Sequence, residues 1–165
     1  SPGFTASPPR RAYCPHHTPW FMNMPTNDNA SPIDATPYTL LGGETAVRHL
    51  VKRFYELMDT QPQAQGIRQL HPADLSRSED KLFMYLSGWL GGPQLFIEKY
   101  GHPRLRQRHL PFAISTDEAS QWMDCMRQAL AETTTNEALR AQLGIALTEL
   151  ALHVRNRQDH DTPVA

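Results

Sequence analysis

Pro103 and Pro111 bracket the stretch Gly101 to Phe112, which reads G-H-P-R-L-R-Q-R-H-L-P-F. Proline suits the first turn of a helix, where its missing N–H is not needed, so a helix is expected to open at Pro103. Pro111 disfavours helical geometry at Leu110, which limits the segment to about two turns. His109 then falls in the last turn of a short helix, between Arg108 and Leu110. A neutral imidazole there offers one ring nitrogen to a metal while the other donates to a carbonyl of the preceding turn. Arg104, Arg106 and Arg108 supply planar cationic forks suited to carboxylates. An imidazole ligand beside carboxylate-binding cations is what a haem with two propionates requires. A basic helix carrying a surface histidine accounts for the same residues and is the commoner arrangement.

Around this stretch the chain reads as long amphipathic helices, with no strand pattern. Ala46, Leu50, Phe54 and Leu57 recur at helical spacing from Glu44 to Asp59, widened by Val47, Val51, Tyr55 and Met58. A short turn-helix over Ile67 to Leu70 leads to His71-Pro72. Ser76-x-x-Glu79 is expected to form a capping box before an apolar face of Leu82, Tyr85, Leu86, Trp89 and Leu90, and Gly91-Gly92 ends that helix. A short segment runs from Pro93 to Lys99. Ser115-x-x-Glu118 reads as a second capping box with Ile114 as hydrophobic staple, ahead of Ala119, Trp122 and Met126. The last helix, Asn136 to Arg157, repeats Leu139, Leu143, Leu147, Leu150 and Val154. Residues 1–38 are proline-rich without periodicity and are expected to be a disordered extension, with the natural start at Met22 or Met24. Residues 39–157 make one helical domain, and 158–165 a polar tail.

The totals exclude several classes. With 16 basic and 17 acidic residues, no general attraction to nucleic acid or to an anionic membrane is expected. No apolar run is long enough to span a bilayer, and no compact signal-peptide core precedes the helices. The two cysteines, Cys14 and Cys125, make no disulfide framework, which points to a reducing cytoplasm. His16-His17 beside Cys14 is more simply a solvated tail than a metal site. There is no nucleotide-binding glycine loop and no Cys-x-x-Cys pattern.

The motif Gly101 to Phe112, with G-W-L-G-G-P before it and W-M-D-C-M after it, resembles the group II truncated haemoglobins. The resemblance covers roughly Thr39 to Arg157 and implies an all-α truncated globin, a two-over-two helical sandwich around one haem. It puts the proximal iron ligand at His109 and treats His102 as part of a structural G-H-P turn. It places the hydroxyl of Tyr55 and the indole N–H of Trp122 over the other haem face as donors to a bound ligand. His71 departs from the tyrosine or phenylalanine common at its corner. It is expected as a third donor, a proton carrier, a sixth iron ligand, or a histidine capping the loop before Pro72. Ser78 stands where larger globins carry a gating histidine and is too small to gate. Leu82 adds apolar wall, while Lys81 and Arg108 are the expected propionate partners. Phe83, Leu86, Phe96, Leu105 and Phe112 are either cavity lining or ordinary core.

No Cys-x-x-Cys-His is present for covalent attachment, so the cofactor is expected to be haem b. Three donor-capable residues, Tyr55, Trp122 and His71, imply tight oxygen retention. Slow release favours chemistry on bound ligand, oxidation of nitric oxide to nitrate or reduction of peroxide, over oxygen delivery. The expected small ligands are O2, NO, CO and peroxide. An external reductase supplies electrons, and the protein is a monomer or weak homodimer. A sensor or binding module without turnover is the alternative, and a haem-free helical domain binding zinc or nothing is a third reading.

Overall fold

The computed structural model describes residues 36–158, so the expectations for residues 1–35 of the proline-rich extension and for the tail beyond residue 158 lie outside the described residues. Residues 36–38, expected within that extension, are ordered at the start of a helix because Thr36 caps it and the Tyr38 N–H bonds the Leu90 carbonyl. The described chain is all-helical, with no strand among the described residues. In order come α1 (Pro37–Leu41), α2 (Glu44–Thr60), a 3-10 turn at Pro62–Ala64, α3 (Gln65–Arg68), α4 (Ser76–Trp89), α5 (Leu95–Tyr100), α6 (Leu105–His109), α7 (Thr116–Thr133) and α8 (Glu137–His153). The four long helices build the two-over-two sandwich: α2 packs on α4 and crosses α7, and α7 packs on α8.

The apolar stripes account for this packing. In α2 the stripe Val47, Leu50, Val51, Phe54, Tyr55, Leu57 and Met58 is buried along its whole length. Met123, Met126 and Leu130 of α7 and Leu139, Leu143 and Leu147 of α8 close the same core. The short α1 carries no sequence periodicity of its own. Thr36 caps it by accepting the Thr39 N–H at 3.3 Å, and Pro37 occupies its first turn. The Tyr38 N–H reaches the Leu90 carbonyl at 3.0 Å. Tyr38 also explains one glycine of the Gly91-Gly92 pair, because a Cβ on Gly92 would meet its ring at 2.5 Å.

The two capping boxes take different forms. Ser115 caps α7, accepting the Asp117 N–H at 3.3 Å, and Ile114 is buried beside it. Its hydroxyl donates to the Glu118 carboxylate at 2.5 Å, so Glu118 is turned to the side chain of Ser115 rather than to its backbone. The box expected at Ser76 does not form. Ser76 is already helical, and Asp74 accepts both its N–H and its hydroxyl. A carboxylate two residues upstream outcompetes the hydroxyl for the helix end, since an ionised acceptor makes the stronger bond and favours the positive pole of the helix dipole.

The organising stretch also differs from its sequence pattern at both ends. The α6 helix begins at Leu105, two residues after Pro103, because Arg104 adopts the left-handed region with φ 46°. That conformation costs roughly 1–2 kcal/mol for a residue with a Cβ. It is fixed here by the Arg104 N–H donating to Nδ1 of exposed His102 at 3.1 Å. His102 is thus part of a turn. At the other end Leu110 is helical in φ and ψ despite Pro111. The Phe112 N–H returns to the His109 carbonyl at 3.0 Å, and this closure holds Leu110 in the region that Pro111 disfavours. The last helix likewise stops at His153, short of Arg157.

Candidate functional site

A cavity of about 460 Å³ opens between α2, α4, α7 and α8 and is closed below by α6. Its walls are mainly apolar, and its size falls in the range of about 300–1,000 Å³ usual for cofactor sites. Most of the residues singled out in the sequence meet on this wall: Tyr55, His71, Ser78, Lys81, Leu82, Phe96, Leu105, Arg108, His109, Phe112 and Trp122.

His109 comes from the last turn of α6. Its Nδ1 lies 2.6 Å from the Leu105 carbonyl oxygen. A carbonyl only accepts, so Nδ1 carries the proton and Nε2 keeps its lone pair for the cavity. Arg108, one residue earlier, lays its guanidinium 5.2 Å from the Phe96 ring centre and reaches the Tyr100 carbonyl at 3.4 Å. Lys81 of α4 sits over the Tyr100 ring at 5.4 Å. Among the described residues the ion pairs all join other cations to carboxylates, and neither Lys81 nor Arg108 has an acidic partner.

A second group of side chains comes from α2, the corner after α3, and α7. Phe54 is its centre, with the Tyr55 and Trp122 rings each 4.9 Å away in edge contacts. Tyr55 is 6 % exposed and donates its hydroxyl to the Ser78 carbonyl at 3.3 Å, a long bond for a hydroxyl. Burial, reinforced by the charge of Glu79, pushes this phenol above its ordinary pKa, so it stays protonated and a donor. The His71 ring lies 5.8 Å from the Tyr55 ring. Its Nδ1 is 2.9 Å from the Ile67 carbonyl, which fixes the same tautomer as in His109. Burial holds its pKa below the ordinary histidine value. The Ile67 carbonyl opposes that shift, and the charges of Arg68 and His109 add to it. At neutral pH His71 therefore offers the cavity an acceptor nitrogen. In this tautomer it becomes a donor to the cavity only on taking a second ring proton.

Two residues expected as possible lining are placed elsewhere. Phe83 is buried on the far side of α4, stacked under the Arg48 guanidinium at 3.9 Å, in a small groove with His49 and Lys52. Leu86 is 1 % exposed within the four-helix core and does not reach the cavity wall. Both follow the apolar stripe of α4 into the core, whereas Ser78, Lys81, Leu82 and Tyr85 occupy the face turned to the cavity. Phe112 is on the wall but 41 % exposed, so it forms the rim.

Ile67, Leu70, Glu118, Ala151 and Val154 also line the wall, although no sequence feature marked them as functional. Their apolar members look like helix stripe until the cavity is seen. Glu118 shares a helix face with Trp122, and the i, i+4 spacing is the only cue that could have found it.

The family model for bacterial-like globins matches residues 36–156. Group 2 truncated hemoglobin YjbI of Bacillus subtilis (strain 168) is 35 % identical over 123 residues, 74 % of this chain and 90 % of that protein. The chain belongs to the group II truncated haemoglobins. Solved truncated haemoglobins share the architecture. The group II 2-on-2 hemoglobin of Agrobacterium tumefaciens is 44 % identical with TM-score 0.74, over 81 % of this chain and 100 % of that one. The truncated oxygen-avid haemoglobin of Bacillus subtilis is 36 % identical with TM-score 0.67, over 73 % of this chain and 99 % of that one. As a truncated haemoglobin the protein uses haem to bind small gaseous ligands such as O2. The cavity fits that group on its own evidence: a mainly apolar space, an imidazole whose Nδ1 is engaged by a carbonyl so that Nε2 is left for a ligand, and two cations without carboxylate partners at its wall.

Proposed function

We propose that this globin holds haem b through Nε2 of His109 and uses it for redox chemistry on bound gas, foremost the oxidation of nitric oxide to nitrate, rather than for oxygen delivery. When bound, the haem supplies a ferrous iron at which nitric oxide, dioxygen and one electron combine to give nitrate. The chain supplies the rest. The Leu105 carbonyl accepts a hydrogen bond from Nδ1–H of His109, which orients the ring and raises the basicity of Nε2. Lys81 and Arg108 are free to take the two propionates. Leu82, Phe96 and Leu105 exclude water from the cofactor's faces, and Phe112 covers its rim.

The observation that carries the reading is Tyr55. Its buried, permanently protonated hydroxyl has only a long bond to the Ser78 carbonyl, so it turns readily to a stronger acceptor in the cavity. Trp122 adds an indole N–H, which is donor only. Two donors on one apolar wall slow ligand release, which suits retention and turnover better than delivery. The Bacillus subtilis relative is described as oxygen-avid, in line with such a pocket. Ser78 is too small to gate, so control of the ligand passes to Tyr55 and Trp122. CO and peroxide suit the same site, with peroxide reduction the companion reaction. Electrons come from a separate reductase, because the sequence has no flavin or nicotinamide motif. No helix of the described chain is long and apolar enough to cross a membrane. A cytoplasmic setting and a monomeric or weakly dimeric state complete the reading.

A second reading, a ligand sensor without turnover, is favoured by one feature. His71 turns the same lone-pair nitrogen to the cavity as His109, which suits it to a sixth coordination position that a gas must displace. Absorption spectra of the ferric, reduced and CO-bound protein test the haem, its ligand and this sixth position together. Mixing the oxygenated ferrous protein with nitric oxide tests the reaction. Stoichiometric nitrate with conversion to the ferric form supports the proposal. Slow or absent nitrate formation leaves the sensor.

A further inference from the structure

Asn156 lies beyond the end of α8, and its side chain makes three hydrogen bonds to backbone groups near the cavity. Its Nδ2 donates to the His109 carbonyl at 2.9 Å and to the Phe112 carbonyl at 2.7 Å. Its Oδ1 accepts the Ile114 N–H at 3.0 Å. The backbone N–H groups of Asn156 and Arg157 both return to the Ile114 carbonyl, at 2.9 and 3.0 Å. One amide therefore bridges the last turn of α6 to the connector before α7.

We infer that Asn156 is a positioning residue for His109: it sets the height and tilt of that imidazole in the cavity and so the strength of its axial bond. This rests on the reading of His109 as the haem ligand. A helix of five residues has too few internal bonds to hold its own place. Its final carbonyls have no helical partner and need one from outside. The carbonyl of His109 is such a group, and it takes the Phe112 N–H from below and the Asn156 amide from the C-terminal turn. The ring itself is fixed to the backbone by its bond to Leu105. The imidazole is thus locked to α6, and α6 is locked by Asn156. Outer partners that orient a metal ligand typically matter about 10–100-fold for affinity.

The test uses the haem-loaded full chain and three variants. Asn156→Asp keeps the shape and the acceptor for Ile114 but loses both donated bonds, leaving oxygen against two carbonyls. Asn156→Ala removes all three side-chain bonds. Arg155→Ala is the control: it removes hydrogen bonds of the same turn to Thr116 and Leu152 and leaves the three side-chain bonds of Asn156 in place. The readouts are the iron–histidine stretching band of the ferrous, unliganded protein by resonance Raman, hemin transfer to apomyoglobin, and the melting temperature. Both Asn156 variants are expected to shift or broaden the band and to speed hemin loss by about tenfold or more. Arg155→Ala is expected to lower the melting temperature while leaving the band in place. An unchanged band with hemin loss within about twofold of wild type, in both Asn156 variants, overturns the inference and leaves a structural clasp only. A wild-type protein with no iron–histidine band overturns the His109 reading instead, so the two failures are distinct.

Discussion

His109 and His71 are held by the same device: each ring donates Nδ1–H to the carbonyl four residues upstream, at 2.6 Å to Leu105 and 2.9 Å to Ile67. Both therefore leave Nε2 as the ring nitrogen available to one cavity. What separates them is their surroundings. His109 sits among arginines on a short, externally clasped helix. His71 sits against the Tyr55 ring, where burial lowers its pKa.

His109→Gly is expected to remove the strong, CO-sensitive Soret band of the reconstituted protein or weaken hemin binding by about 10-fold or more. Millimolar imidazole should restore much of the spectrum, since the glycine leaves room for a free ring. Titration of the apoprotein with hemin checks both points. Wild-type spectra and affinity in the glycine variant would move the ligand to another residue.

Tyr55→Phe and Trp122→Leu each remove a donor to bound ligand. A charge-assisted bond of this kind is worth about 1.5–3 kcal/mol, which converts to roughly 10–150-fold in oxygen off-rate. Stopped-flow displacement of oxygen by CO measures it. Off-rates within about twofold of wild type in both variants would sink the donor picture.

The depressed pKa of His71 gives a pH effect of definite sign. Above the ordinary histidine value, near pH 6.5, the ring is neutral whether folded or unfolded, and its stability contribution is flat. On acidification the unfolded chain takes the proton first. Stability then falls with pH from about 6.5 down to the lower folded pKa. Below that value His71 is protonated in the folded protein and presents an N–H to the cavity, so oxygen release is expected to slow. His71→Leu should remove both effects. Denaturation midpoints and oxygen off-rates between pH 7.5 and about 5 decide it, and an identical pH response in the variant would exclude His71 as the titrating group.

Phe54 is fully buried between Tyr55 and Trp122. Phe54→Ala is expected to cost about 3–5 kcal/mol by chemical denaturation. It should also loosen both donors, so oxygen release should quicken although Phe54 touches no ligand. Preserved stability would mean that the site repacks around the void.

Much of the fold was legible because it rests on local pattern. The α2 stripe from Val47 to Met58 and the leucine repeat of α8 have only one way to bury themselves, and helices so patterned pack into layers. The place of His109 at the end of a short helix was legible because its motif is compact. Less was visible where two devices compete for one group. The Ser76 box lost to Asp74, and Pro111 failed to break Leu110 because Phe112 and Asn156 hold the turn closed.

The sequence by itself determined that this chain is all-helical, that His109 stands in a short basic helix, and which family motif surrounds it. Helical periodicity and short-range motifs depend on residues a few places apart. Only the tertiary structure decided that His71 faces the cavity as an acceptor, that Phe83 and Leu86 turn away from it, and that Asn156 reaches back 47 residues to His109. Those outcomes depend on which carbonyl, ring or cavity lies beside a side chain once the helices have packed.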